Sequence, residues 1–193
     1  YDIGIEQRIA SSASIQIAVF RQTVEDEIDG FVFDPESGLF TARNLDTTSK
    51  RGGVEVGARW TVSEYLDLSM NYTYTDSTEN GATELRRPRH AGNATIDANF
   101  LEGRARLMLA ADVGGTRQDI YFPPWPEPAV IVALDSYWLL DLTAQYQATD
   151  SIKLFVSAST LLDKDYEQVY GYNTPGRAWY GGVRIHFGNQ ATP

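Results

Sequence analysis

The chain has 193 residues, no Cys and a formal net charge of -10. That length suits one ordinary domain, the missing thiols exclude a disulfide scaffold and thiolate metal sites, and the acidic balance argues against a nucleic-acid partner, which needs a basic face. Mean hydropathy is -0.31, and the longest apolar run, Ala129 to Leu134, is far shorter than the roughly 20 residues of a spanning helix. Spanning strands are compatible with such a composition, because they need only ~10 alternating residues. The chain starts at Tyr1 without a charged and then apolar leader, so for an exported protein a mature chain or a fragment is expected.

Successive strand side chains face opposite sides of a sheet, so period-2 patterns mark the elements. Asp2 to Ile9 offers Ile3, Ile5 and Ile9, and a small polar turn follows at Ala10 to Ala13. Ser14 to Ile28 offers Ile15, Ile17 and Val19, then an acidic half with Glu25, Asp26, Glu27 and Asp29 at its end. Asp34-Pro-Glu-Ser-Gly38 reads as a turn. Leu39 to Val62 reads as one long strand with Val54, Val56, Ala58 and Trp60 on one face. After a tight turn at Ser63-Glu64, Tyr65 to Asp76 sets Leu66, Leu68, Met70, Tyr72 and Tyr74 against Asp67, Ser69, Asn71 and Thr73.

A polar loop over Ser77 to Pro88 precedes a strand over Arg89 to Phe100, with Ala94, Ile96, Ala98 and Phe100 on one face. Leu101 to Gly103 is a tight turn into Arg104 to Gly114, whose apolar face is Ala105, Leu107, Leu109, Ala111 and Val113. Gly115 to Asp135, which holds Pro123-Pro-Trp-Pro-Glu-Pro128, reads as the longest irregular stretch. Ser136 to Gln147 carries Trp138, Leu140, Leu142, Ala144 and Tyr146 on one face, and a tight turn at Ala148 to Ser151 leads to Ile152 to Asp163. A Tyr-rich loop, Lys164 to Gly176, precedes the last strand, Arg177 to Phe187, in which Val183, Ile185 and Phe187 alternate with Gly182, Arg184 and His186. Residues 188–193 form a polar tail. The reading is all-β and antiparallel, with nine strands and no helix.

Three features point to a membrane barrel rather than a soluble barrel or sandwich with one solvated face. Connections alternate between tight and longer, as short periplasmic turns alternate with external loops; the Pro-Glu-Ser-Gly connection is a short exception. Aromatic residues gather at both ends of the apolar face, Trp60, Phe100, Tyr146 and Phe187 at the tight-turn end, and Tyr72, Tyr74, Trp138 and Trp179 towards the loop end. Trp138 to Tyr146 is eight residues, or about 26 Å of strand and about 19 Å of depth at a ~45° tilt, somewhat short of a ~25 Å apolar band. The opposite face carries Asp67, Asn71, Asp97, Asn99, Asp112, Asp141 and Arg184, which suits a wet lumen. The first and ninth strands run in the same direction and cannot close on each other, and an open edge in lipid is costly. Nine strands therefore read as part of a larger barrel.

The last third carries motifs. Leu161-Leu-Asp-Lys-Asp-Tyr166, Tyr170-Gly-Tyr172, Pro175-Gly-Arg177 and the alternating final strand resemble the C-terminus of TonB-dependent outer-membrane receptors, most closely the cobalamin transporter group. Arg51-Gly-Gly-Val-Glu55 and Arg86-Arg-Pro-Arg89 resemble motifs earlier in such barrels. One departure is Thr160, where the family usually has Asn. The resemblance implies a 22-stranded barrel around an N-terminal plug, of which residues 1–187 supply the last nine strands. It implies import of a scarce nutrient, cobalamin or a ferric siderophore, in the outer membrane of a Gram-negative bacterium. Partners implied are the plug and N-terminal strands of the same receptor, outer-membrane lipid, the outer-membrane assembly machinery, and TonB through the plug alone. Tyr180, Gly182, Ile185 and Phe187 fit the assembly signal of such final strands.

Enzyme chemistry is not expected. The two histidines are His186, on the lumen face, and His90, at a loop start beside three arginines. No catalytic residue, metal site or cofactor is assigned, and the acidic run at Glu25 to Asp29 reads as a solvated charge run rather than a cation site. Ligand contacts are expected on external loops held by a rigid scaffold, with Tyr121, Phe122 and Trp125 as the candidates because aromatic side chains offer contact area at little ordering cost; packing of the loop on itself is the other role open to them. Tyr166, Tyr170 and Tyr172 suit either the mouth or an interface girdle. Arg86, Arg87 and Arg89 are expected to meet lipid headgroups or acidic lumen residues. The alternatives to a receptor wall are a self-standing small barrel acting as a pore or structural protein, and a soluble lipid-binding barrel.

Overall fold

A computed structural model describes residues 1–44 and 46–187; the polar tail lies outside the described residues. Every regular element among them is a strand: β1 (Asp2–Ala10), β2 (Ala13–Glu25), β3 (Ile28–Asp34), β4 (Leu39–Asn44), β5 (Thr48–Ser63), β6 (Leu66–Glu79), β7 (Ala82–Thr83), β8 (His90–Phe100), β9 (Ala105–Gly114), β10 (Arg117–Tyr121), β11 (Val130–Leu134), β12 (Tyr137–Thr149), β13 (Ile152–Ser159) and β14 (Ala178–Ile185). One antiparallel sheet runs β1-β2-β5-β6-β8-β9-β12-β13-β14, with the short β7 paired to β6. These are the nine expected wall strands. The β3-β4 and β10-β11 pairs stand apart as two-stranded hairpins.

Residues directly opposed in an antiparallel pair share a face. The register therefore tests the alternation read from sequence, and a one-residue slip at any pair would invert it. It holds across the wall. Ile5 opposes Ile17, Ile17 opposes Val56, and Val56 opposes Tyr72. Further along, Leu68 opposes Ile96, Ile96 opposes Leu109, Leu109 opposes Leu142, Leu142 opposes Ala158, and Ala158 opposes Trp179. The other face is polar at the same depth, where Asn71 opposes Asn93 with a 3.0 Å side-chain hydrogen bond and Arg106 pairs with Asp97.

Such a wall has no core on its apolar side. Among the described residues the buried apolar side chains are Leu134 and Ala158. Ile17, Met70, Ile96, Leu107, Leu154 and Val183 are all exposed on the apolar face, and the girdle residues Trp60, Trp138 and Trp179 are 51%, 56% and 58% exposed. A sheet normally buries its apolar face against a second layer, and soluble monomers rarely leave an apolar surface this continuous. Lipid is the solvent that satisfies it, while the strand ladder satisfies the backbone.

The structure corrects several boundaries. β2 ends at Glu25, and the Asp34–Gly38 turn caps the β3-β4 hairpin rather than joining two wall strands. Its Asp34 carboxylate accepts from the Ser37 hydroxyl at 2.6 Å and from the Glu36 amide at 3.2 Å, and Gly38 takes φ +68. The connection from β2 to β5 is therefore residues 26–47, so the short exception disappears. Short links at 11–12, 64–65, 101–104 and 150–151 alternate with long ones at 26–47, 80–89, 115–136 and 160–177. The long strand expected from Leu39 is two strands, β4 and β5. Residues 115–136 hold the β10-β11 hairpin instead of irregular chain. β13 stops at Ser159, because Thr160 and Asp163 turn the chain with φ of 49 and 54, and Phe187 lies two residues past β14.

Candidate functional site

Burial in this molecule is displaced to one end. Ser49, Ser77, Arg117, Asp119, Leu134 and Thr160 are all buried, and all lie at the long-loop ends of strands or in the loops themselves. The long loops and the strand ends beside them contain the packed part of the chain, and its largest fully buried side chain is a carboxylate, Asp119.

Asp119, on β10, is 0% exposed. A buried charge needs partners, and three segments supply them. The Arg86 guanidinium donates to Oδ1 at 2.7 Å, the Ile120 amide donates to the same oxygen at 2.8 Å, and the Tyr170 amide donates to Oδ2 at 2.8 Å. Burial opposes the Asp119 charge most strongly, but the Tyr170 amide, Arg86 and the Ile120 amide together outweigh it and hold the carboxyl below the usual carboxylate range. Arg117, two residues earlier, donates to the carbonyls of Glu167, Gln168 and Gly115, and its guanidinium lies 5.0 Å from the Tyr137 ring centre. Tyr137 in turn packs on Tyr166 at 4.6 Å and accepts from Gln168 at 3.2 Å. The β10-β11 hairpin is thereby fastened to the loop after β13 and to the loop before β8.

A second cluster fastens the remaining loop. Arg51, on β5, donates to both oxygens of Glu84 at 2.9 Å and to Glu27 at 2.6 Å. Ser49 donates to Glu27 at 2.6 Å, and Arg87 donates to Glu84 at 2.8 Å. The Ser49 hydroxyl and the Arg51 guanidinium hold Glu27 below its usual range; at Glu84 burial pushes the other way, but Arg51 and Arg87 outweigh it. Gly53, in the same motif as Arg51, lets Phe20 of β2 close over the strand: a Cβ there would fall 2.8 Å from the ring.

The sequence-predicted residues divide. Tyr121 packs on Tyr170 at 5.1 Å, so it helps hold the loop together. Phe122 and Trp125 project at 70% and 93% exposure beyond the hairpin. Arg86, Arg87 and Arg89 meet acidic side chains of the loops and strand ends, Asp119, Glu84 and Asp76. His90 is the first residue of β8, not part of a loop, and its ring nitrogen Nδ1 lies 2.7 Å from the Tyr72 hydroxyl, with Tyr74 opposite. That places it in the outer girdle. In the final strand, Tyr180 and Gly182 face the lumen side, opposite Ser157 and Phe155, and Ile185 faces lipid with Ile152. The Phe155 ring covers Gly182, where a Cβ would meet it at 2.6 Å. Of the acidic run, Glu27 is taken up by Ser49 and Arg51; no group of three metal-ligating side chains occurs among the described residues, and the side chain of Asp29 lies outside them.

Asp119, Arg117 and Glu84 were missed by sequence reasoning. The Arg51 and Arg86 motifs were visible, but not that each serves to grip a carboxylate on another segment. A cavity of about 660 Å³ opens beside the fastened hairpin, between Leu134, Asp135 and Ser136 on one side and Lys164, Tyr166 and Asn173 on the other.

A one-layer antiparallel sheet with a lipid face, a polar face, short turns at one end and fastened loops at the other is the wall of an outer-membrane β-barrel. Residues 1–161 match the family model of the TonB dependent receptor-like β-barrel, and the chain belongs to that family. Its place is the outer membrane of a Gram-negative bacterium. It is 34% identical to the vitamin B12 transporter BtuB of Vibrio cholerae over 195 residues, covering 96% of this chain and 31% of that protein. It is 24% identical to BtuB of Vibrio vulnificus over 191 residues, covering 96% and 29%. Among solved structures, the pyoverdine outer-membrane receptor FpvA of Pseudomonas aeruginosa superposes with a TM-score of 0.77 at 17% identity, covering 97% of this chain and 29% of that one. The chain thus spans under a third of the length of these relatives.

Proposed function

We propose that this chain is the C-terminal wall and four external loops of a TonB-dependent receptor that imports a scarce nutrient, cobalamin first and a ferric siderophore second. The observation that carries the reading is the 34% identity to a vitamin B12 transporter over 96% of the chain. The wall's two open edges agree with it. β1 and β14 each have a single neighbour among the described strands and run in the same direction, so further strands must lie between them for the backbone to be satisfied in lipid. The remaining thirteen strands of a 22-stranded barrel, and a plug that contacts TonB, belong to the rest of the receptor.

Within this part, Phe122 and Trp125 present apolar area to the outside medium, and Tyr121 fixes the base of their loop. Tyr180, Gly182, Ile185 and Phe187 present the final strand to the assembly machinery, with Phe155 filling the space that Gly182 leaves open. The role is transport rather than catalysis, and His90 sits beside Tyr72 in the girdle. Calorimetric titration of the purified complete receptor tests the ligand. Cyanocobalamin binding with Trp125→Ala weakening it supports the reading. Binding of a ferric siderophore and not of cyanocobalamin replaces the first ligand by the second, and binding of neither refutes the proposal.

A further inference from the structure

We propose that the four external loops of this wall are held as one preset collar by two pins, Asp119 and Arg51, and that these are positioning residues for the exposed Phe122–Trp125 tip. The inference rests on the receptor reading for its ligand, but not for its geometry. Every long connection enters the network. Residues 26–47 enter through Glu27, which Arg51 and Ser49 hold. Residues 80–89 enter twice, through Glu84 on Arg51 and through Arg86 on Asp119. Residues 115–136 contribute Asp119 and Arg117 themselves. Residues 160–177 enter through the Tyr170 amide on Asp119 and the Glu167 and Gln168 carbonyls on Arg117. Each pin therefore ties segments far apart in sequence, and residues 80–89 join the two.

The chemistry of the pins argues for positioning rather than bulk stability. Burying a charge pair is expensive, and replacing the whole pair by apolar side chains of similar volume is often neutral or stabilising. What a carboxylate adds is direction. The two oxygens of Asp119 accept from donors on three segments, which fixes the hairpin in orientation as well as place. Arg51 does the same with a planar fork across Glu84. A hairpin held in this way keeps its tip at a fixed place above the wall, so capturing a ligand requires less ordering of the loops.

The test uses the complete receptor in lipid vesicles, with spin labels on Glu127→Cys and Lys164→Cys for the collar and on Glu64→Cys and Asp150→Cys for the short-turn end. This chain has no Cys, and any Cys elsewhere in the receptor is replaced by Ser before labelling. The unaltered receptor should give a narrow collar distance without any ligand. Asp119→Ala should broaden the collar distance and leave the short-turn distance unchanged, and Asp119→Asn, which keeps an acceptor but loses the charge, should fall between. An unchanged collar distance in Asp119→Ala overturns the proposal. So does equal broadening at both ends, which would make Asp119 a support of the wall. In parallel, cyanocobalamin affinity should drop roughly tenfold in Asp119→Ala. If the unaltered receptor does not bind cyanocobalamin, the ligand reading fails, and the collar is judged by the distances alone.

Discussion

Gly53→Ala, set against Gly52→Ala, separates close approach from backbone freedom as the reason for the glycine pair in Arg51-Gly-Gly-Val-Glu55. A Cβ on Gly53 would lie 2.0 Å from the Tyr74 carbonyl oxygen and 2.8 and 2.9 Å from two carbons of the Phe20 ring. The ring can turn, but the carbonyl belongs to the neighbouring strand. Restoring van der Waals contact requires β5 and β6 to part by about 1 Å, against a normal spacing of ~4.8 Å. Overpacking of that kind costs about 1–3 kcal/mol, and the one or two ladder hydrogen bonds stretched beside it add about 1–3 kcal/mol. Reduced freedom of the unfolded chain returns about 0.4–1 kcal/mol. The net expectation is a loss of about 1–6 kcal/mol. On Gly52 the nearest atoms to a Cβ are at 3.5 and 4.0 Å, so alanine there should be neutral or mildly stabilising. Urea unfolding of the two variants of the complete receptor, followed by the mobility difference between folded and unfolded barrel on gels, measures both. Equal stability of the two variants would refute the close-approach account.

Thr160 holds φ of 49, a left-handed conformation that a β-branched residue adopts at a cost of about 1–2 kcal/mol and that Asn tolerates. The hydrogen bond that its backbone N–H donates to the Asp141 carboxylate at 2.8 Å survives substitution, because the donor belongs to the backbone. Thr160→Asn should therefore raise barrel stability by about 1 kcal/mol in the same unfolding experiment; a decrease contradicts the strain. Acid should release the collar. Asp119, Glu84 and Glu27 have carboxyls held below their usual range, so their contribution is present above about pH 4 and is lost as pH falls through the lowered folded values. The Glu127–Lys164 label distance should stay narrow through neutral pH and broaden only in acid below the ordinary carboxylate range, and broadening already near about pH 6 would implicate another group. Trp60, Trp138 and Trp179 should be quenched by brominated phospholipid in variants that keep one of them and replace other Trp residues by Phe, whereas Trp125 should not. Quenching of Trp125 at the same level would put the hairpin tip in the membrane.

The wall was legible in the sequence because each of its strands is constrained on both faces. Lipid demands apolar side chains at every second position from Ile15 to Val19 and from Val54 to Trp60, and the wet face demands the opposite, so the period appears without knowledge of partners. The hairpins escaped because they stand free of both demands. Ile28, Phe33 and Leu39 are exposed on a two-stranded ribbon outside the wall, and such short segments merged into the strands beside them. The collar escaped for a different reason. Asp119 owes its burial to an amide 51 residues away and to an arginine 33 residues away, and no local pattern distinguishes it from the solvated acids around it. The Arg51 and Arg86 motifs marked where such partners would be found, but not which carboxylates they hold. His90 was misplaced because its flanking arginines suggest a loop, while its position opposite Tyr74 is a property of the β6-β8 register.

Import is the central claim, and energised uptake tests it most directly. Cells carrying the complete gene, and lacking their own cobalamin receptor, should accumulate labelled cyanocobalamin. Accumulation should stop when the proton gradient of the inner membrane is collapsed, while surface binding persists. Accumulation that survives collapse of the gradient would indicate a passive pore. Absence of uptake for both cyanocobalamin and ferric siderophores, in cells where the barrel is assembled, would contradict the account.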